Sequence, residues 1–260
     1  MEKLKATNSE QADTKMTSSK PKNPSPNRTS ASHWTALLST ALVSALLSAC
    51  ASKPVPPDWQ SNAFAALKGY STAYLRGSSR LADLELNRAR SELSSTGRAD
   101  LLARAELTRC AVRVASLEFD QCASYQPLAL DATPEERAYA AFLSGNWTAR
   151  DTALLPEQYR ALVPSAAPAQ ATDKTAAPVS RLDAMQDPLA RLVAAGVLLQ
   201  SRLMTPADAA AAVDTASSQG WRRPLLAWLG VQLQRATEAG DRDAMTRLQR
   251  RIDLVLQTPA

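Results

Sequence analysis

From Trp59 onward, apolar residues return every three or four positions, and proline or glycine separates one run from the next. A 3.6-residue period puts such positions on one face of a helix, so the pattern leaves little room for a sheet. Ala63, Phe64, Leu67, Tyr70, Ala73 and Tyr74 mark a helix over 59–76, broken at Gly77-Ser78-Ser79. Leu81, Leu84, Leu86, Ala89 and Leu93 mark a second over 79–95, which stops at Ser95-Thr96-Gly97. A third begins near Arg98 and carries Leu101, Leu102, Ala105, Leu107, Cys110, Ala111 and Val114. Three helices joined by glycine-containing turns form an antiparallel hairpin series, and the expected fold class is all-α.

Helix starts recur downstream. Thr133-Pro134-Glu135-Glu136 has a capping Thr, a first-turn Pro and a Glu three residues on; Thr205-Pro206-Ala207-Asp208 repeats it with Asp. Asp187-Pro188 and Arg223-Pro224 read the same way. Further helices follow over 187–203, 206–219, 223–238 and 241–257. The first of these, PLARLVAAGVLLQSRL, is apolar nearly all round and belongs at the centre. Residues 161–180 are rich in Pro, Ala, Thr and Ser, and Pro164, Pro168 and Pro178 forbid a continuous helix there. This linker divides an N-terminal helical region, 59–160, from a C-terminal one, 181–260.

Composition removes several kinds of chemistry. The single histidine, His33, precedes the helical part, which therefore has no imidazole for Ser-His-Asp or Cys-His catalysis or for His-ligated zinc. None of the 8 glycines forms a phosphate-cradling run, so no nucleotide cofactor and no metal are expected.

The first 49 residues have their own grammar. Residues 1–33 are polar, hold all six of this segment's basic residues, and read as disordered. Trp34 to Ala49 then runs without a charge; at 1.5 Å per residue it spans roughly 24 Å, short of a ~30 Å hydrocarbon core. A basic region, a short apolar stretch and small residues before a cut are the marks of a signal peptide. Its last residues, Leu47-Ser48-Ala49-Cys50, resemble the lipobox of bacterial lipoproteins. The resemblance implies that the Cys50 thiol takes a diacylglycerol, that the leader is cut just before it, and that the new N-terminus is acylated. The basic region is long for that family, and a start at Met16 instead of Met1 shortens it. Ala51 and Ser52 follow, without the Asp that retains relatives in the inner membrane, so the resemblance implies delivery to the periplasmic face of the outer membrane. Pro54, Pro56 and Pro57 make residues 50–58 an extended tether.

Residues 1–49 hold six of the 30 Lys+Arg and three of the 25 Asp+Glu, which leaves 24 basic against 22 acidic residues after Cys50 is exposed. A net +2 gives no reason to expect nucleic acid as a partner. With Cys50 lipidated, Cys110 and Cys122 remain, and an oxidising periplasm favours a disulfide over two buried free thiols. A bridge demands that the third helix end near Ser116 and that Leu117 to Gln121 turn back. A helix running to Phe119 would leave Cys110 about 13 Å from its end, beyond the ~5.5 Å Cα separation that a disulfide needs.

Carboxylates alone suffice for glycoside cleavage. Glu135-Glu136 is the best local pair, although the capping box accounts for it; Asp58 beside Trp59 and Asp120 near Tyr125 are single candidates. Trp221-Arg222-Arg223 at a helix start reads either as an exposed aromatic–cationic patch for a partner or as a turn Trp packed across two helices. Arg80, Arg88, Arg90, Arg98, Arg104, Arg109 and Arg113 interleave with Asp83, Glu85, Glu92, Asp100 and Glu106, which predicts pairing within a solvated helix face.

Residues 239–259, with Gly240-Asp241 at a turn, Ala244, Leu248 and a closing Pro259, weakly resemble the second half of a tetratricopeptide repeat. No second copy stands at that period, so the resemblance implies helical hairpins, at most a superhelical array of them. The expected function is that of a lipid-anchored helical binding or scaffold module for envelope proteins. A carboxylate-dependent cell-wall glycan enzyme and a purely structural lipoprotein are the alternatives.

Overall fold

The computed structural model of the chain describes residues 56–162 and 180–257. The leader, Cys50, most of the tether and most of the linker lie outside the described residues. Those described form nine α-helices and no strand, so the chain is all-α.

The first three helices are α1 (Asp58–Arg76), α2 (Ser79–Ser94) and α3 (Ala99–Ala115). α1 and α2 form a tight hairpin because Gly77 takes φ 95°, where a side chain is disfavoured; its N–H reaches Tyr74 O while the Ser78 N–H reaches Ala73 O. α4 (Pro134–Leu143) starts at a full capping box: the Glu136 N–H donates to Thr133 Oγ1, and the Thr133 N–H donates to Glu136 Oε2. The short α5 (Glu157–Arg160) follows a 3-10 turn at Ala149–Leu154; neither was expected from periodicity, which needs more than one turn to register.

After the linker come α6 (Pro188–Gln200), α7 (Pro206–Ser218), α8 (Arg222–Glu238) and α9 (Arg242–Leu256), joined as successive antiparallel neighbours. Every long helix starts within a residue or so of its sequence-read position. α6 buries Leu192 through Leu198 without a break, as its all-round apolar sequence requires. It crosses α3 at Gly196, where an added Cβ would overlap the Val114 carbonyl oxygen and lie 2.8 Å from Val114 Cγ1. Trp228 of α8 is fully buried beside the same crossing and donates its indole N–H to Ala115 O at 3.1 Å. One hydrophobic cluster therefore includes Leu107, Val114 and Phe142 from one side of the linker and Leu192, Val213 and Trp228 from the other. The 59–160 and 181–260 regions share a core.

The succession of hairpins is irregular. The helices run from 4 to 19 residues, and α3 packs against α6 across the linker, not only against its sequence neighbours. The α8/α9 hairpin does turn at Gly240-Asp241, with the Asp241 carboxylate capping α9 through the Ala244 N–H.

Candidate functional site

Cys110 and Cys122 are bridged, with Cα atoms 5.1 Å apart. The backbone does what the bridge requires: α3 stops at Ala115, and the chain reverses through Leu117, Gln121 and Cys122, all non-glycine residues at positive φ (61°, 53° and 52°). Left-handed conformations of that kind cost on the order of 1 kcal/mol each, and here they persist because the loop is held from several sides. Asp120 accepts the Cys122 N–H and pairs with Arg109 and Arg113; Glu118 pairs with Arg113 and Arg223.

Arg223 belongs to the sequence-predicted patch, and it does not face outward. Its guanidinium donates to Tyr74 O, Ser79 Oγ and Glu118 Oε1 and lies 4.2 Å from the Tyr74 ring centroid. Arg222 donates to Val255 O, and Trp221 is half-buried against the core. Trp221, Arg222 and Arg223 thus join the start of α8 to the α1/α2 turn and the end of α9. The physical reason is the partial negative charge at the carbonyl ends of α1 and α9, where Tyr74 O and Val255 O attract a cation.

The expected pairing on a solvated helix face is met by Arg98 with Asp100 at the start of α3, and two other arginines depart from it. Arg90 of α2 makes a bidentate pair with the buried Glu106 of α3, and Arg104 of α3 pairs with Glu136 of α4. Both pairs bridge helices. Each gives a buried carboxylate the partner that burial demands.

A groove of ≈ 600 Å³ lies between α3, α4 and the segment before α5. Leu107, Tyr139, Leu154 and Leu155 form its apolar wall, and Arg104 and Glu135 stand at its edge. Behind the wall, Tyr139, Phe142, Trp147 and Tyr159 stack in a continuous aromatic cluster with centroid separations of 4.8–6.3 Å. Burial pushes the Tyr139 phenol up to about 12, so it stays protonated across physiological pH. Sequence periodicity did not single out this cluster. A usable signal was present: four of the chain's 13 aromatic residues fall between positions 139 and 159.

Of the carboxylates singled out earlier, Glu136 and Asp120 are engaged, and Glu135 and Asp58 are exposed. Glu136 accepts the Thr133 N–H and the Arg104 guanidinium. Glu135 is exposed, and its own backbone N–H and the Thr133 hydroxyl hold its carboxyl below the usual range, opposite to what a general acid needs. Asp120 is doubly ion-paired, and Asp58 is exposed at the start of α1. Tyr125 is buried with its hydroxyl unpartnered.

Among the described residues no group of three or more His, Cys, Asp or Glu is placed to hold a metal ion, and no helix is long and apolar enough to cross a membrane. No protein-family model, curated protein or solved structure matches the chain.

Proposed function

We propose that the protein is a lipoprotein anchored through Cys50 to the periplasmic face of the outer membrane, and that its helical body serves as a binding or scaffold module for envelope proteins. The observation that carries the binding role is the groove between α3 and α4. It offers an apolar, aromatic-backed wall in which the nearby buried carboxylate is spent on a helix cap and an ion pair. Such a surface suits capture of an apolar segment. The Leu47-Ser48-Ala49-Cys50 sequence supports the anchor, and the Cys110–Cys122 bridge fits an oxidising compartment. A carboxylate-dependent glycan enzyme has less support, because Glu136 is engaged by the Thr133 cap and the Arg104 pair, and the exposed Glu135 carboxyl is held below its usual range.

Two measurements test this reading. Cells grown with labelled palmitate should yield labelled protein beginning at Cys50, and Cys50→Ser should abolish both labelling and processing; unlabelled, unprocessed wild-type protein overturns the anchor. A photo-crosslinking amino acid at Thr108, which lines the groove, should capture one defined envelope protein, while the same probe at exposed Arg88 of α2 should not. Equal, diffuse crosslinking from both positions overturns the binding role.

A further inference from the structure

The groove is not the only surface without a partner. α9 rests on α8 through Ala244, Met245, Leu248, Ile252 and Val255, all only half-buried, and no residue of α9 is fully buried. Arg247, Arg250, Arg251 and Leu254 follow at i, i+3, i+4 and i+7, which places them on one stripe of the helix. All four are exposed, Leu254 at 64%. Seven arginines outside α9 (Arg90, Arg98, Arg104, Arg109, Arg113, Arg181 and Arg223) each have a carboxylate within 4 Å, and Arg137, Arg160, Arg191, Arg222 and Arg235 reach backbone carbonyls instead. Among the described residues, no carboxylate pairs with Arg242, Arg247, Arg250 or Arg251. Asp253, on the same helix, accepts from Gln249 instead. Beside the stripe, an apolar groove of ≈ 430 Å³ opens between α8 and α9 over Leu233 and Met245, with Arg250 at its edge.

We propose that the outer face of the α8/α9 hairpin docks an acidic amphipathic helix of an envelope protein. A leucine or phenylalanine of the incoming helix fills the groove over Leu233 and Met245, and Asp or Glu side chains a turn apart meet Arg247 and Arg250. The i, i+3, i+4, i+7 spacing is that of a helix seam, and arginine pairs with carboxylates bidentately. The docked helix continues the antiparallel succession of α7, α8 and α9. Charge selects this occupant over two others. A second copy related by a two-fold axis would bring the arginine stripe against itself. An anionic membrane would meet the arginines, but the apolar face of α9 is already spent on α8, which leaves too little to insert.

This inference deepens the scaffold reading by naming a partner class, and it fails separately from it. The test uses the chain carrying Cys50→Ser and a labelled helical peptide of about 20 residues, with leucines at helical spacing flanked by glutamates; a second peptide has lysine for each glutamate. In fluorescence anisotropy the glutamate peptide should bind and the lysine peptide should not. Raising salt from about 50 to about 200 mM should weaken binding several-fold. R247E/R250E should weaken it by about tenfold or more while R247K/R250K retains most of it, with unchanged circular dichroism melting in both. The inference is overturned if the glutamate peptide does not bind, if both peptides bind alike, if R247E/R250E binds as wild type does, or if the chain instead self-associates or prefers anionic vesicles. Loss of peptide binding with crosslinks from Thr108 intact removes this inference and leaves the groove reading standing.

Discussion

α6 and α9 are nearly equal in length, 13 and 15 residues, and they sit at opposite extremes of burial. α6 has eight buried residues and reaches α3 through a glycine; α9 has none and touches its neighbour along a single narrow face. Both are capped by an Asp at the N-terminus, Asp187 and Asp241, so local helix signals do not separate them. The width of the apolar face does: all round in α6, a stripe in α9. An interior helix of this kind sets stability, and an edge helix is free to carry recognition.

That contrast can be broken by paired substitutions. The largest effect is expected for Leu192→Ala in α6, fully buried, which should cost about 4 kcal/mol in urea unfolding through lost burial and a cavity. Leu248→Ala in α9, half-buried, should cost about 1 kcal/mol. Equal losses would mean that α9 is as integral to the core as α6.

The glycines give the second pair. Gly196→Ala puts a methyl group into the Val114 carbonyl and should cost about 3 kcal/mol by forcing α3 and α6 apart. Gly230→Ala in α8 meets nothing within 4 Å and should raise stability by about 0.5 kcal/mol through helix propensity alone. Opposite signs in thermal melts would sharpen the comparison; two losses would place a close neighbour at Gly230.

Asp208, at the start of α7, is the interior counterpart of the exposed carboxylates of α9. Burial opposes its charge. The Thr205 N–H and hydroxyl, the Arg181 guanidinium and the Ser180 hydroxyl outweigh that cost and hold the carboxyl below its ordinary range. Its folded value therefore lies under the unfolded ~3.9, so its contribution is complete above that pH and is lost as pH falls toward the folded value. Asp208→Asn should cost about 2 kcal/mol at pH 7, and the gap to wild type should close as urea midpoints are followed down through pH 4 and below. Asp253→Asn on α9 should change stability by less than about 0.5 kcal/mol.

The helices and their caps were legible in the chain because each rests on local chemistry: Thr133 with Glu136, Thr205 with Asp208, and Gly77 after α1. The turn-back after Ser116 was legible as well, because two cysteines twelve residues apart leave a helix few ways to end. The long-range pairings were not. Arg104 meets Glu136 across helices although Asp100 stands four residues before it, and Arg90, with no acid three or four residues away, finds Glu106 on the next helix. For Trp221-Arg222-Arg223 the sequence offered both an exposed patch and a packed turn, and nothing near it in sequence announces the Tyr74 carbonyl and Glu118 that receive Arg223. The aromatic groove escaped notice because Tyr139 and Phe142 lie on α4, Trp147 in the loop after it and Tyr159 on the short α5, which share no single period.

Cys110 and Cys122 are 2% and 1% exposed, so once the helices have packed, neither sulfur can be reached by an exchange partner. Oxidation therefore has to precede the final tightening of the loop that carries Glu118 and Asp120. Anyone producing this protein in a reducing cytosol would be preparing a different object, with three arginines reaching for acids that have not yet been put in place.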